Sequence, residues 1–420
     1  MLDARLIEKN PSLLKKTLIA RGMQAELRNI DIFLEKRREW KQLKKQIDEL
    51  RHKKNTISLA INEAIKKGKK EEAEEKRTEA KKIVEEIKET EGKVSRLEKE
   101  TKEIALIFPN LVEDLPKKEK IISTYGKTKK QRWQKSYLEI CSQLGLIDFD
   151  SAVKMSGEGF YSFTGLGARL QRALINFFLS CAEKNGYAEQ FPPILVSEKA
   201  MVNSGQLPKF KEGMYHMQNN LYLVPTAEVS LLNLYAGKIL KGKELPIYIT
   251  AYSPCFRVEE GATKALFRVH QFDKVELFKF VKQKDSDKEL EKMVKDASQI
   301  LKLLKIPHRV KLLPAGEIGI ASAKTYDIDV FSPVSRWLEV SSCSNCTDYQ
   351  SRRARIFYLD KEKKLVHTLN GSGLGLPRTF IALIENYQQK DGSIKVPKVL
   401  QKYTGFKKIE PETKAKLKKK

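Results

Sequence analysis

Cysteine is scarce: five in 420 residues, an odd number, with two forming the pair Cys343 and Cys346. That argues against a disulfide scaffold and for a reducing compartment, the cytoplasm. The single CxxC has no second pair to complete the four ligands of a structural zinc, so no zinc is expected. No apolar run approaches the roughly 20 residues that a spanning helix needs, so no membrane is expected among the partners. The start of the chain carries Asp3, Arg5, Glu8 and Lys9 in an amphipathic pattern, unlike a secretory signal. Acidic residues are also in deficit, 54 against 80 Lys and Arg, leaving a net charge of +26. Such a surplus suits a polyanionic partner through counterion release, or reflects a lysine-rich background; composition leaves both open.

What is present has a clear order. From Asp31 to Lys67 apolar positions recur at Trp40, Leu43, Ile47, Leu50, Ile57, Ile61 and Ala64, with Lys54 in the one missed slot. A second run holds Ala73, Ala80, Ile83, Ile87, Val94, Leu97 and Ile104, and Gly68 breaks the two. This three-four spacing predicts an antiparallel coiled-coil hairpin at about 31–105, with arms of roughly 50 Å. A dimerisation coiled coil, a solvated spacer and a partner-binding arm all fit it. The reading divides the chain into a helical arm (1–108), a charged linker (109–136), a globular domain (137–410) and a basic, disordered tail (411–420). In the globular part, helices at 167–185 and 286–304 alternate with strands at 221–224, 247–252, 267–280, 326–330, 337–341 and 364–369. Regular βαβ spacing is absent, which predicts an α+β domain with a mainly antiparallel sheet.

The stretch from Phe256 to Glu276, FRVEEGATKALFRVHQFDKVE, carries the most chemistry. Alternation along a strand puts Phe267, Val269, Gln271, Asp273 and Val275 on one face, and Arg268, His270, Phe272, Lys274 and Glu276 on the other. The second face is too polar for a plain core. Arginine and carboxylate on one strand pair suit a triphosphate and a small charged substrate.

This stretch resembles motif 2 of the class II aminoacyl-tRNA synthetases, in the form found in the seryl-tRNA synthetase family. PTAEVSL (Pro225 to Leu231) is similar to that family's serine-binding TxE loop, and Leu338 to Ile356 to its strand bearing a metal-binding glutamate. Thr368 to Gln388 resembles motif 3, and Gly167 to Leu179 with Asn185 to Val196 resembles motif 1. The matches span nearly the whole chain in family order. They imply a class II synthetase-type antiparallel sheet flanked by helices, preceded by the hairpin, and a serine–tRNA ligase. The expected partners are L-serine, ATP, Mg²⁺, tRNA(Ser) and, in the family, also tRNA(Sec), with a homodimer through motif 1.

The resemblance also implies site residues. Arg257, Glu339 and Arg378 would be catalytic. Arg257 would hold the α-phosphate and the substrate carboxylate, and Arg378 would lie against adenine and reach the γ-phosphate. Phe272 would stack on adenine and Glu259 meet its amino group, with Val258, Val269, Val340, Ser341 and Ser342 completing the ATP site. Glu339 and Ser342 would hold Mg²⁺. Serine would be bound by Thr226, Ala227, Glu228, Arg257, Glu276, Asn370 and Ser372, with Thr226 and Glu228 at the ammonium and Glu276 at the hydroxyl. On the hairpin, Lys44, Lys45, Arg51, Lys53, Lys66, Lys67, Lys69, Lys70 and Arg77 would track tRNA phosphates, reading shape more than sequence. His270 is given no role.

The chain departs from the family in places. The loop between Arg257 and Arg268 is shorter and lacks an Asp-Thr-Arg-Gly run that reaches the acceptor end of tRNA. Val258 replaces a serine, Glu260 an alanine, and Pro377 a common glycine. The region from Leu115 to Gly145 is compressed. KMSG at Lys154 to Gly157 stands without the HIGH-type partner of class I enzymes, and GSGLG lacks the frame of a dinucleotide fingerprint. Two rivals accompany the ligase reading: a non-catalytic paralogue that binds RNA or protein, and an amino acid:carrier-protein ligase.

Overall fold

The computed structural model describes residues 1–112, 114–259 and 265–411. It forms two compact units, one from Leu2 to Pro109 and one from Asn110 onward together with Met1.

The first unit is built around two long helices, α1 (Leu27–Lys66) and α2 (Lys70–Ile107). Forty residues make α1 about 60 Å long. The seam follows the heptads: Ile47, Ile57 and Ala64 are buried from α1, and Ala73, Ile83, Val94 and Leu97 from α2. Lys54, in the missed slot, is exposed. Thr90 and Thr101 are buried in the seam and return their hydroxyls to the carbonyls of Glu86 and Leu97, which satisfies them at the cost of a thin core. Ion pairs brace the hairpin at Lys36–Glu100 and Arg51–Glu91. The reversal needs Gly68, whose φ is +75°, a conformation costly for any side chain.

The second unit is an α+β domain around an eight-stranded sheet. Its strands are β1 (Lys120–Tyr125), β2 (Ala188–Glu189), β3 (Ile247–Phe256), β4 (Gln271–Val281), β5 (His308–Leu312), β6 (Lys324–Ser332), β7 (Arg336–Asn345) and β8 (His367–Gly375). They lie in the order β1-β5-β6-β7-β8-β4-β3-β2, antiparallel except for the short β2–β3 pair. Helices α3 (Gly165–Lys184), α4 (Ser286–Leu303) and α5 (Leu376–Tyr387) pack on one face. They share a core with Val275, Leu277, Ile328, Val330 and Leu369. In α3 the buried Leu170, Leu174, Phe177, Phe178 and Cys181 repeat at helical spacing. Gly167 lets α3 approach the preceding chain, since a Cβ there would stand 2.2 Å from the Leu146 carbonyl oxygen. Among the described residues no helix is long and apolar enough to cross a membrane.

Two expectations are corrected. Residues 109–136 were expected to be a linker, yet Lys120–Tyr125 is the edge strand β1, paired with β5. Asn110 is buried and donates to the carbonyls of Ala321 and Cys346. The segment looked unstructured because every residue of β1 is exposed, so no alternating pattern marks it. The strand expected at 267–280 begins at Gln271; Ala265–Phe267 is instead a 3-10 turn. His270 therefore lies before the strand, where its ring stacks on Phe160 and Nδ1 lies 3.0 Å from the Tyr215 hydroxyl. Of the noted departures, Glu260 and the middle of the shortened loop, residues 260–264, fall outside the described residues, as do tail residues 412–420. Pro377 sits in the first turn of α5, where its missing N–H costs nothing.

Candidate active site

A cavity of about 510 Å³ opens on the sheet face opposite the helices. The sheet order brings its walls together: β7, β8, β4 and β3 are consecutive neighbours, and Ser372 of β8 and Ala251 of β3 flank Glu276 of β4. From Gln271 onward the expected alternation holds. Phe272, Lys274 and Glu276 line the cavity. Asp273 turns away to accept from Gln171 and Tyr252, and Val275 joins the core. Thr226, Glu228, Arg257, Glu259, Val269, Glu339, Val340, Ser341, Ser342, Asn370, Ser372 and Arg378 also line it. Two expected residues do not: Ala227 is buried in a separate apolar cluster with Leu231 and Phe278, and Val258 is held by its amide to the Gly213 carbonyl.

At one end two carboxyls converge. Glu276 is 1% exposed; its Oε2 accepts from Thr226 at 2.6 Å and lies 2.5 Å from the Lys274 ammonium. Glu228 faces the cavity and keeps some accessible surface, yet protein atoms crowd it. Gln350 and Asn370 both donate to its Oε1, the latter at 2.9 Å. Burial first, then the charge of Glu276, pushes the Glu228 carboxyl up to about 7. A small ligand with an ammonium group would relieve that pressure.

The same cavity is lined by the cations Arg257 and Arg378 and the acids Glu259 and Glu339. The Arg257 guanidinium lies over the Phe272 ring at 5.0 Å. Arg378 donates to the carbonyls of Glu339 and Phe267, with its Nη1 3.9 Å from the Glu339 carboxylate. Glu259 is paired with Arg268. Ser341 donates to the Ser372 carbonyl at 2.6 Å, which ties β7 to β8.

Sequence reasoning missed Asp327. It lies opposite Ser342 in the β6–β7 register and hydrogen-bonds it, and its Oδ1 is buried without a hydrogen-bond partner. Burial and the charge of Glu339 push its carboxyl up to about 7. The available signal was an aspartate inside the strand Tyr326–Val330. Among the described residues no group of three His, Cys, Asp or Glu is placed to hold a metal. Glu339 and Ser342 line the cavity, with Asp327 opposite Ser342 in the register, an oxygen donor set of the kind a hard divalent cation takes. Cys343 and Cys346 are both buried, and Cys346 Sγ accepts from Asn370 at 3.3 Å.

An antiparallel sheet with a cation-lined cavity on one face and helices on the other is the architecture of a class II aminoacyl-tRNA synthetase core. Residues 210–387 match the family described as the tRNA synthetase class II core domain (G, H, P, S and T). Residues 1–112 match the seryl-tRNA synthetase N-terminal domain. Serine–tRNA ligases of Methanosarcina barkeri and Thermodesulfovibrio yellowstonii are 42% and 43% identical, over 96% and 97% of this chain and 97% and 99% of theirs. A seryl-tRNA synthetase from Pyrococcus horikoshii, solved in complex with ATP, is 34% identical, with a TM-score of 0.93 over 98% of this chain and all of that one. The chain belongs to the seryl-tRNA synthetase family.

Proposed function

We propose that this protein activates L-serine with ATP and transfers the seryl group to the 3′ end of tRNA(Ser), with tRNA(Sec) as a further acceptor where the organism has one. The serine carboxylate oxygen forms a bond to the α-phosphorus, the bond from that phosphorus to the bridging oxygen breaks, and pyrophosphate leaves. A terminal ribose hydroxyl of the tRNA then attacks the acyl carbon, and AMP leaves. The observation that carries this reading is the Glu228–Glu276 carboxyl pair, with Thr226 and Lys274, set in one cavity with Arg257, Arg378 and Glu339.

Each residue has a part in this reading. Arg257 aligns the serine carboxylate with the α-phosphate, and Arg378 holds adenine and the γ-phosphate; orienting two anions and neutralising their charge is most of the catalysis required. Phe272 stacks on adenine and Glu259 meets its amino group, while Val269, Val340 and Ser341 shape the pocket. Glu339 and Ser342 would hold Mg²⁺, which when bound would neutralise charge on the phosphates. Glu228, with Thr226, takes the serine ammonium. Glu276, with Asn370 and Ser372 nearby, reads the hydroxyl.

The hairpin is the tRNA arm. Lys44, Lys45, Arg51, Lys53, Lys66, Lys67, Lys69, Lys70 and Arg77 are all exposed. Lys45, Arg51, Lys53, Lys69 and Arg77 each pair with a glutamate, whereas no ion pair engages Lys66, Lys67 or Lys70 among the described residues. The tip is therefore the part most ready for phosphate. We also infer a homodimer: Phe191 is 90% exposed beside a groove lined by Arg172, Tyr252 and Tyr403, a large apolar group that a second copy would cover. The cytoplasm suits the five free thiols. The test is charging of tRNA(Ser) with labelled serine, ATP and Mg²⁺. Serine on the tRNA is the expected result, and its absence with folded protein would overturn the reading.

A further inference from the structure

Lys274 has no part assigned so far, yet its placement is unusual. It is 9% exposed and lies on the cavity floor rather than extending its ammonium to solvent. That ammonium stands 2.5 Å from Glu276 Oε2, the oxygen to which Thr226 also donates. Both contacts thus fall on one oxygen of the carboxylate. A buried carboxylate without a counter-charge takes up a proton, and a protonated carboxyl donates as well as accepts. A second carboxyl, Glu228, lines the same cavity.

We propose that Lys274 is a specificity-determining positioning residue: with Thr226 it occupies Oε2 of Glu276, keeps that carboxylate acceptor-only, and so presents Oε1 to the hydroxyl of the amino acid. The proposal rests on the reading of this cavity as the serine site. An acceptor-only carboxylate discriminates sharply. Serine gives it a strong O–H donor, cysteine only a weak S–H, and alanine nothing, which leaves a desolvated anion unpaired. Were Glu276 protonated, it could turn its own proton elsewhere, and the penalty against alanine would shrink. Lys274 acts through Glu276 and not on the reacting atoms, so the amino acid should feel its loss more than the nucleotide does.

Pyrophosphate exchange with Lys274→Met and Lys274→Arg tests this. The methionine variant should raise KM for serine about tenfold or more and lower the serine-to-alanine preference by a similar factor. Its KM for ATP should stay within about twofold, and the arginine variant, which keeps the charge, should recover most of the loss. Calorimetric ATP binding establishes folding; Lys274→Gln, judged by the same criteria, replaces the methionine variant if that fails. A neutral variant with the parent's KM for serine and the parent's selectivity overturns the proposal. So does a KM for ATP that rises in step with that for serine, which would put Lys274 on the phosphates. A parent chain without serine-dependent exchange overturns the serine reading and the proposal with it, whereas a parent-like variant overturns the proposal alone.

Discussion

Replacing Glu228 with glutamine should make this protein more stable and less active, with the stability gain confined to a defined pH range. The carboxyl ionises at about 7 in the fold against an ordinary value of 4.5. Because the folded value is raised, burial of the acid costs nothing below pH 4.5, progressively more up to about 7, and a constant amount above that. At 1.36 kcal/mol per unit the full cost is about 3 kcal/mol, and nearer 2 because the carboxyl faces an open cavity. Glutamine keeps an oxygen for the Gln350 and Asn370 donors and removes the charge. Thermal unfolding of ligand-free protein should show Glu228→Gln melting about 2–4 °C above the parent at pH 8, with the gap closing toward pH 5. In the proposed role the serine ammonium loses its counter-charge, so KM for serine should rise about a hundredfold at pH 8. In the parent, serine affinity should weaken as pH falls below 7. A variant no more stable than the parent at pH 8, or equally stabilised at both pH values, would refute this account of Glu228.

Other perturbations probe separate parts of the structure. Gly167→Ala should cost about 1–3 kcal/mol, seen as a lower Tm, because its Cβ would meet the Leu146 carbonyl oxygen at 2.2 Å and α3 would have to shift. Replacing Lys66, Lys67 and Lys70 together by glutamate should raise KM for tRNA about tenfold or more and flatten its salt dependence, with serine activation unchanged. Phe191→Asp should shift the molecule toward monomer in light scattering, and an unchanged mass would remove the dimer face inferred there.

The sequence was most legible where pattern is local. The heptads of α1 and α2 foretold the seam down to the exposed Lys54, and alternation along β4 separated Phe272, Lys274 and Glu276 from Asp273 and Val275. The family likeness extended this to residues far apart in sequence, which the sheet order brings to one cavity. What stayed hidden depends on partners that no spacing reveals. Asp327 meets Ser342 only through the β6–β7 register, and Lys274 and Glu276 shared a predicted face without their contact being visible. The edge strand β1 was missed because an exposed strand carries no burial signature. The premature start assigned to β4 came from extending alternation through Ala265–Phe267, where the backbone coils into a turn.

Serine-dependent exchange of pyrophosphate into ATP, with alanine, threonine and cysteine run beside it, tests the central claim most directly. Exchange with serine, and little or none with the others, is the predicted result. No exchange by folded protein supplied with Mg²⁺, or exchange with alanine at the rate seen with serine, would contradict it.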